Sequence, residues 1–536
     1  MSKTKDNTRE LSSIRDTVES VWVAIILAFV LRAFLIQAFV IPTGSMAPRL
    51  MGQHWQLECP SCHYRYAYGF RGRGRGVGAA GAECPNCGMP YVGQQRNVDS
   101  GDRVLVMKYL YHLRPPKPWD VVVFRNPQNN RENYIKRLVG LPGETIEIVR
   151  GDVFVADQPD GPFHVRRKPY AAQAAMWQPV FMNDYRPNYD MLRDADVRQP
   201  LRQWVPSRGG DAWQQQGDGG RTFRYTGTGK PAVLAFQAGR EAFMPYYGYN
   251  YRNEEQRHVY SKADVCTDLK LAATFLPEQG DSKVGLSMTS LDNVFFAEVH
   301  ADGQAMLTYR NGDGTAHRWK AKVDPLALGR GHAVALTHAD FRATLWIDDE
   351  PVVQTTDEVY SGNYQAIKRR VRMAEDKPIP TPEVQLVASG GPLELRHVKL
   401  MRDVYYTQQT IPEQLAALEP LYDYAERLGL VEALPRPGWG TMGHPIVLRD
   451  FEDDDRDEFF VLGDNSPESL DSRGWAAAGP TLRLLDERGE PQYRLGTVPR
   501  YNLLGKALFV YWPAGYRLPV LDLPLIPNVG RMRLIR

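Results

Sequence analysis

The sequence predicts a mainly β protein with an N-terminal transmembrane helix, an antiparallel β core and an inserted β-sandwich of the jelly-roll type. Three observations support this fold class. The chain of 536 residues contains 27 Tyr, 11 Trp, 46 Gly and 39 Pro, a composition that favours strands joined by turns. Short alternating runs lie between Gly, Asp and Asn turns. Only one segment is apolar over a membrane-spanning length, and the chain is long enough to hold more than one core.

The apolar segment covers residues 18–40 and is interrupted by Arg32. A helix needs about twenty apolar residues to cross a bilayer, and the segment reaches that length if Arg32 extends its side chain towards the headgroups. It is too long for a signal-peptide core and no A-x-A cleavage sequence closes it, so an uncleaved single-pass anchor is expected. A buried core helix is the alternative. The charged residues on either side of this segment do not determine its orientation in the membrane.

The overall charge argues against one class of partner. The formal net charge is +2, so the composition gives no reason to expect nucleic-acid binding. The basic run at residues 71–76 is interpreted as a solvated loop.

Four cysteines form two C-x-x-C pairs, Cys59 with Cys62 and Cys84 with Cys87. This spacing is typical of a zinc ribbon, in which two tight turns bring four thiolates to one tetrahedral ion. Two disulfides are the alternative if the segment lies in an oxidising compartment. The fifth cysteine, Cys266, is expected to be a buried structural thiol.

Two stretches carry candidate chemistry. Ser45 lies in FVIPTGSMAPRL (residues 39–50), and Lys136 lies in NYIKRLVGLPGE (residues 133–144). A serine can be activated as a nucleophile by a lysine that burial keeps neutral. Neither stretch is decisive alone, because most serines after glycine cap turns and most strand lysines form ion pairs.

Four stretches that include both residues follow one another in this order along the chain: PTGSM (42–46), GDRVLVMKYLY (101–111), YIKRLVGLPGE (134–144) and GDNSPESLDSR (463–473). Together they resemble the boxes of bacterial type I signal peptidase (leader peptidase), a family of Ser/Lys peptidases. The resemblance implies a membrane-bound serine endopeptidase of the inner cell membrane, with its catalytic domain on the exported side. Its partners would be the lipid bilayer and the signal peptides of preproteins, cut after an A-x-A sequence. No cofactor is expected for catalysis, whereas a structural zinc ion is expected at the cysteines.

The resemblance also implies roles for individual residues. Ser45 would be the nucleophile and Lys136 the general base, with the Ser45 N–H and the Thr43 hydroxyl as oxyanion donors. Ser469 would orient the lysine. The remaining assignments are the framework residues Asp471, Arg473 and Arg137, and the substrate-pocket residues Phe39, Ile41, Met46, Leu50 and Ile135. The alternative for the pocket residues is that they only fill the core.

The expected domain order follows from these assignments. It comprises a cytoplasmic tail (1–17), the anchor (18–40), three catalytic-core parts (41–55, 98–169 and 441–536), a zinc-ribbon-like insertion (56–97), an inserted sandwich (170–405) and a connecting helix (406–440).

The insertion at 170–405 is predicted from runs such as DLKLAATFLP, VGLSMTS, VFFAEVHADG and ATLWIDDEPVVQ. Its last strands are similar to those of concanavalin-like (laminin-G-like) jelly rolls, which bind carbohydrate or protein. A structural spacer is equally compatible.

Three alternatives remain open for function. The first is an exported, membrane-anchored carbohydrate- or protein-binding protein on a degenerate peptidase scaffold. The second is a Ser-His-Asp triad, but the histidines at 54, 63, 112 and 164 have no accompanying Ser/Asp motif. The third is a self-cleaving Ser/Lys repressor relative, which the predicted anchor disfavours.

Overall fold

A computed structural model describes the chain except for residues 1–16, 28, 31–34, 71–80, 94–96, 196–200, 218, 246–248, 251–264, 374–378, 409–437, 452–454, 476, 483–492 and 515–527. Four sequence predictions therefore lie wholly or mostly outside the described residues: the cytoplasmic tail at 1–17, the position of Arg32, the loop at 71–76 and the connecting helix at 406–440.

The described chain is mainly β, as predicted. The first group of strands is β1 (Ile36–Val40), β2 (His54–Glu58), β3 (Arg65–Gly69), β4 (Arg103–Met107), β5 (Val121–Asn126), β6 (Asn129–Gly140), β7 (Thr145–Val149), β8 (Asp152–Ala156) and β9 (His164–Val165). The second group is β10 (Gln178–Met182), β11 (Gln203–Pro206), β12 (Trp213–Gln216), β13 (Thr222–Tyr225), β14 (Ala232–Gln237), β15 (Leu269–Pro277), β16 (Lys283–Ser290), β17 (Asn293–His300), β18 (Gln304–Arg310), β19 (Ala316–Lys322), β20 (His332–Ala339), β21 (Arg342–Ile347), β22 (Glu350–Gln354), β23 (Val384–Ser389) and β24 (Leu393–Arg402). The last group is β25 (Ile446–Val447), β26 (Glu458–Leu462), β27 (Val498–Pro499), β28 (Leu503–Trp512) and β29 (Arg533–Leu534).

Helices are short and few among these residues. The α-helices are α1 (Leu110–Leu113), α2 (Tyr170–Met176), α3 (Tyr189–Asp194) and α4 (Tyr364–Arg372). The 3₁₀ turns are Asn183–Tyr185, Gly210–Ala212, Arg240–Phe243, Ser466–Glu468, Ser472–Gly474, Pro480–Leu482, Arg500–Asn502 and Val529–Arg531. Residues 17–27 are also helical.

The N-terminal segment differs from its prediction at one end. Residues 36–40 were expected to complete a transmembrane helix, but they form β1, paired with β4 from Ile36 opposite Met107 to Val40 opposite Arg103. Hydrogen bonding to a neighbouring strand satisfies these backbone groups, so the alternating side chains form a sheet edge instead of a helical stripe. In the part of the chain that the structure describes, no helix is both long and apolar enough to cross a membrane.

The catalytic-core segments form one antiparallel sheet in the order β1-β4-β28-β5-β6-β26-β27, with β29 added to β28. A second sheet, β25-β7-β8-β9, packs through a cluster that includes Ile146, Val155 and Phe460. Arg150 and Gly151 form the two-residue turn of the β7–β8 hairpin. Both residues have positive φ, at 56° and 87°, which matches the twist of a two-residue hairpin.

The insertion forms two facing sheets. One has the order β12-β13-β24-β15-β20-β21-β22 with β10 on β24, and the other has the order β11-β14-β23-β16-β17-β18-β19. Strand β15 alternates between buried and half-buried positions, and its inward residues Leu271 and Phe275 pack against Leu286 and Leu345 in the largest core of the described chain. This arrangement confirms a β-sandwich.

A buried ionic cluster joins the sandwich to the core. The Lys168 ammonium contacts Asp340 and lies 3.0 Å from Asp403, and all three side chains are at most 3% exposed. The neighbouring carboxylates raise the pKa of Lys168 well above its usual value, although burial alone would lower it. Sequence patterning did not predict this junction, because its members come from three separate segments.

Candidate active site

Ser45 and Lys136 meet in the structure. Lys136 lies on β6 opposite Val122 of β5, and its Nζ donates to Ser45 Oγ at 2.7 Å and to the Ile135 carbonyl oxygen at 3.2 Å. The two side chains are 3% and 8% exposed, so bulk water has little access to the pair. The geometry is that of a hydroxyl and an amine able to exchange a proton.

Burial is the main influence on the lysine. Desolvation lowers the pKa of Lys136 from 10.5 to about 8, against the smaller opposing effects of the Asp471 and Asp464 carboxylates. Neither carboxylate forms an ion pair with it, because both are already paired with arginines. The Lys136 Nζ also lies 5.1 Å from the centre of the Tyr134 ring. A substantial fraction of the amine is therefore neutral at mildly alkaline pH.

The loop that carries Ser45 is held at both ends. The Ile41 N–H donates to the Asp102 carbonyl at 2.9 Å, and the Met51 N–H donates to the Asp102 carboxylate at 3.0 Å. Ile41, Met46 and Leu50 fill the core beneath the loop at 2%, 0% and 1% exposure. Asp102 therefore ties both ends of this loop to β4 through its backbone and its side chain.

Residues 463–473, here called the catalytic loop, approach Ser45 from the other side. The Asn465 N–H donates to the Ser45 carbonyl at 3.0 Å, and the Asn465 side-chain amide donates to the Gly44 carbonyl at 2.9 Å. A Cβ atom added at Gly463 would lie 2.5 Å from the Ser45 carbonyl oxygen, so glycine is needed for this approach.

Two arginine–aspartate pairs hold the catalytic loop. Arg137 binds both oxygens of Asp464, at 2.7 and 2.6 Å, and Arg473 binds both oxygens of Asp471, at 2.9 and 2.7 Å. Asp471 also accepts the Gly463 N–H at 3.0 Å. Buried, bidentate pairs of this kind fix geometry more than they add stability.

Other predicted site residues are less clearly placed for their roles. Ser469 is fully buried beside Gly463, yet its Oγ has no hydrogen-bond partner within the described residues, so the expected bond to Lys136 is not present. Thr43 is exposed two residues before Ser45. The five pocket residues share one apolar cluster, but only Phe39 and Ile135 remain partly exposed. Burial of the other three supports the core-filling alternative, because a side chain without exposed surface cannot line an open pocket.

Sequence reasoning missed two contributors from the insertion. Tyr249 packs its ring over Gly44, where an added Cβ would lie 2.1 Å from a ring carbon, and its hydroxyl donates to the Gln53 carbonyl at 3.0 Å. Asn250 forms a reciprocal amide pair with Asn465. Nothing in their local sequence marks them, since they lie about two hundred positions from Ser45 and in a segment without strand periodicity.

The alternative of a Ser-His-Asp triad gains no support from His54, the histidine nearest to Ser45 in the sequence. His54 is fully buried, and its Nδ1 lies 2.8 Å from the Gly52 carbonyl oxygen. Burial lowers its pKa. The group bonded to Ser45 Oγ is the lysine amine.

The four cysteines could hold a metal ion. Their Sγ atoms all lie within 4.8 Å of one another, with Cys59 and Cys87 3.5 Å apart and Cys62 and Cys84 3.6 Å apart. A disulfide requires about 2.05 Å, so these are not bonded pairs. The residue after each C-x-x-C pair has a positive φ: His63 follows Cys62, and Gly88 follows Cys87.

The cysteine segment is docked on the sandwich. The Asn86 amide donates to the Tyr185 carbonyl at 2.8 Å and its oxygen accepts the Met182 N–H at 2.6 Å. Leu192 of α3 is buried in the same cluster as the cysteines. The segment therefore connects the loop after Ser45 to the insertion.

A second cluster of side chains with metal-ligand chemistry consists of three aspartates. Oxygens of Asp152, Asp268 and Asp340 also lie within 4.8 Å of one another. The Asp340 carboxylate, however, accepts hydrogen bonds from the backbone N–H and the side-chain ammonium of Lys168. An ammonium already supplies the positive charge, so this group is a structural ion cluster.

Two parts of the chain match a known protein family, and shorter stretches match individual relatives. The family described as signal peptidase, peptidase S26, matches residues 86–199 and 448–512, which include Lys136 and the catalytic loop. Signal peptidase I of Leptolyngbya laminosa is 40% identical over 70 residues, 12% of this chain and 34% of the relative. Signal peptidase I of Rickettsia typhi is 25% identical over 154 residues, 29% of this chain and 48% of the relative. The chain thus matches about half or less of the length of these relatives.

Over these parts of its length the chain is similar to proteins of the signal peptidase, peptidase S26, class. The curated relatives that it matches there are named signal peptidase I. Among solved structures, a carbohydrate-binding module (CBM66) from Bacillus subtilis is 13% identical and covers 35% of this chain and 89% of its own, with a TM-score of 0.21. The sandwich fold of the insertion therefore rests on its own strand pairing.

Proposed function

We propose that the protein is a membrane-bound Ser/Lys endopeptidase that removes signal peptides from exported preproteins. The observation that carries the proposal is the 2.7 Å contact between Lys136 Nζ and Ser45 Oγ at a buried position. The lowered pKa of Lys136, about 8, supports its role as general base. The matches to signal peptidase I support the substrate class.

The chemistry follows from the two groups. The neutral amine of Lys136 takes the proton of the Ser45 hydroxyl while Oγ bonds to the carbonyl carbon of the scissile peptide. The resulting oxyanion accepts hydrogen bonds from the Ser45 N–H and the Thr43 hydroxyl. The Lys136 ammonium then protonates the leaving amine, and a water molecule activated by the same lysine hydrolyses the acyl ester to release the signal peptide.

The peptide would bind as an extended strand. Strand β6 pairs with β26 from Arg137 to Gly140, so Ile135 lies outside this pairing. Phe39, on the edge strand β1, and Ile135 retain exposed surface and belong to the same apolar cluster as Met46. Backbone pairing along a strand edge with small side chains in shallow apolar depressions would account for an A-x-A preference.

Membrane attachment is part of the proposal. The helical residues 17–27 expose apolar side chains, among them Trp22 at 61% and Ile26 at 58%. Such side chains favour contact with lipid. An anchor immediately before β1 would hold Ser45 close to the depth at which the apolar part of a signal peptide ends.

We also propose that the four cysteines bind a structural zinc ion. Four thiolates at about 2.3 Å from one ion would lie about 3.8 Å apart, close to the observed sulfur–sulfur distances. The ion would take no part in catalysis and would stabilise a segment that has a small core of its own.

Preprotein processing tests the proposal. Purified protein in detergent is incubated with a preprotein, and with a version whose A-x-A residues are replaced by large ones. Cleavage after the A-x-A sequence is expected for the wild type and should be lost in Ser45→Ala and in Lys136→Ala. A Ser45→Ala protein that processes the preprotein at the wild-type rate would refute the mechanism, and an inactive wild type would favour a binding protein on a degenerate scaffold.

A further inference from the structure

Asn250 of the insertion contacts the catalytic loop. Asn250 Nδ2 donates to Asn465 Oδ1 at 2.9 Å, and Asn465 Nδ2 donates to Asn250 Oδ1 at 2.8 Å. Asn250 is 3% exposed and Asn465 is fully buried. Two amides facing each other in this way satisfy each other with no water required, so the side chain of Asn465 is fixed in one orientation.

That orientation determines what Asn465 does to the backbone around Ser45. The second proton of Asn465 Nδ2 is directed at the Gly44 carbonyl, 2.9 Å away. The backbone N–H of Asn465 donates to the Ser45 carbonyl oxygen at 3.0 Å. Asn465 therefore holds the peptide units on both sides of the nucleophile.

The Gly44 carbonyl and the Ser45 N–H belong to the same planar peptide unit and point in opposite directions. Fixing the carbonyl towards Asn465 therefore fixes the N–H away from it. The Ser45 N–H is the backbone donor that the proposed mechanism requires for the oxyanion. The Gly44 carbonyl also accepts the Ala47 N–H at 2.9 Å, so loss of the Asn465 contact would loosen this peptide without releasing it.

Tyr249 reinforces the same connection. Its ring packs over Gly44, and its carbonyl accepts the Gly69 N–H at 2.8 Å. Ala47, Met51 and Ala67 surround the ring in a small cluster of buried side chains. The insertion thus contacts the Ser45 loop by packing and the catalytic loop by a hydrogen-bonded pair.

We infer that Asn250, contributed by the insertion, is a positioning residue that acts through Asn465 to orient the Ser45 N–H as oxyanion donor. The inference rests on the proposed function and adds a role for the insertion in the cleavage step itself. Because Asn250 touches no reacting atom, its loss should affect the transition state more than substrate binding.

The test compares Asn250→Ala and Asn250→Leu with wild type, using an internally quenched peptide with Ala-x-Ala before the scissile bond. Removing an oxyanion donor outright costs about 100- to 1,000-fold in kcat, so a donor that is only loosened should cost about tenfold. We expect kcat to fall about tenfold in both variants, with KM within about twofold and an unchanged pH midpoint. The leucine variant keeps the side-chain volume, which separates lost pairing from a cavity.

Asn363→Ala is the matched control. Asn363 belongs to the same insertion and caps α4 by accepting the Ala366 N–H at 3.0 Å. Its replacement should destabilise the insertion through the lost cap and leave kcat unchanged. If Asn363→Ala lowers kcat as much as Asn250→Ala at equal loss of melting temperature, the effect is general destabilisation and the inference is wrong.

A double-mutant cycle gives the second readout. Asn250 is inferred to act only through Asn465, so Asn250→Ala should cause no additional loss of kcat in an Asn465→Ala background. Fully multiplicative losses would contradict the inference, as would wild-type kcat in Asn250→Ala. These results are distinguishable from failure of the proposed function, in which the wild-type protein itself would not cleave the peptide and the inference would fall with it.

Discussion

The pH dependence of cleavage follows directly from the environment of Lys136. Burial lowers the pKa of its amine from 10.5 to about 8. At pH 7 roughly a tenth of the amine is then neutral, compared with roughly 0.03% for an ordinary lysine, a gain of roughly 300-fold in active base. The kcat/KM for an Ala-x-Ala peptide should therefore rise about tenfold per pH unit below pH 7 and level off above pH 8 to 9.

The same shift predicts an effect on stability. The pKa of Lys136 is lower in the folded protein than in the unfolded chain. Below about pH 8 the folded protein holds a buried ammonium, which lowers its stability. The free energy of unfolding therefore rises as the pH increases from about 8 to 10.5. Lys136→Met should increase the free energy of unfolding at pH 7 by up to about 3 kcal/mol, and the gain should disappear near pH 10.5.

The assay follows kcat/KM from pH 6 to 10 and urea unfolding of wild type and Lys136→Met at pH 7 and 10. Lys506→Met is the matched control, since Lys506 is a half-buried strand lysine of the same sheet, ion-paired with Asp120. It should keep the wild-type pH profile. A flat profile between pH 6 and 9, or a Lys136→Met protein that is less stable at pH 7 than wild type, would refute the reasoning.

Two further predictions concern structure outside the dyad. Metal analysis of purified protein should give one zinc ion per chain, and chelation or Cys62→Ser should lower the melting temperature; no zinc together with no free thiols would instead indicate disulfides. Lys168→Met leaves the Asp340 and Asp403 carboxylates buried without their cation, so urea unfolding at pH 7 should show a loss of about 3–5 kcal/mol. A loss below about 1 kcal/mol would mean that water reaches the cluster.

The sequence was sufficient to predict the β core, the sandwich and the meeting of Ser45 with Lys136. Strand periodicity and turn residues are local signals, and the four ordered boxes include Ser45, Lys136 and the loop at 463–473. Residues 36–40 were assigned to the anchor because an apolar run has the same composition in a helix and in an edge strand. Only pairing with β4 distinguishes the two.

The contacts between segments could not be read from the sequence. Asn250 and Asn465 are 215 positions apart, and neither lies in a pattern that marks a partner. The Lys168 cluster likewise depends on how the sandwich packs on the core. The resemblance implies that Ser469 bonds to Lys136, but that hydrogen bond depends on a side-chain rotation that the sequence does not determine.

In the proposed mechanism, the Ser45 oxygen attacks the scissile carbonyl as Lys136 removes its proton. The most direct measurement is mass spectrometry of the protein after rapid acid quenching during turnover of an Ala-x-Ala ester substrate. An acyl adduct is expected on the peptide that contains Ser45, and it should be absent in Lys136→Ala at neutral pH. An adduct on another residue, or turnover with undiminished rate in Ser45→Ala, would contradict it.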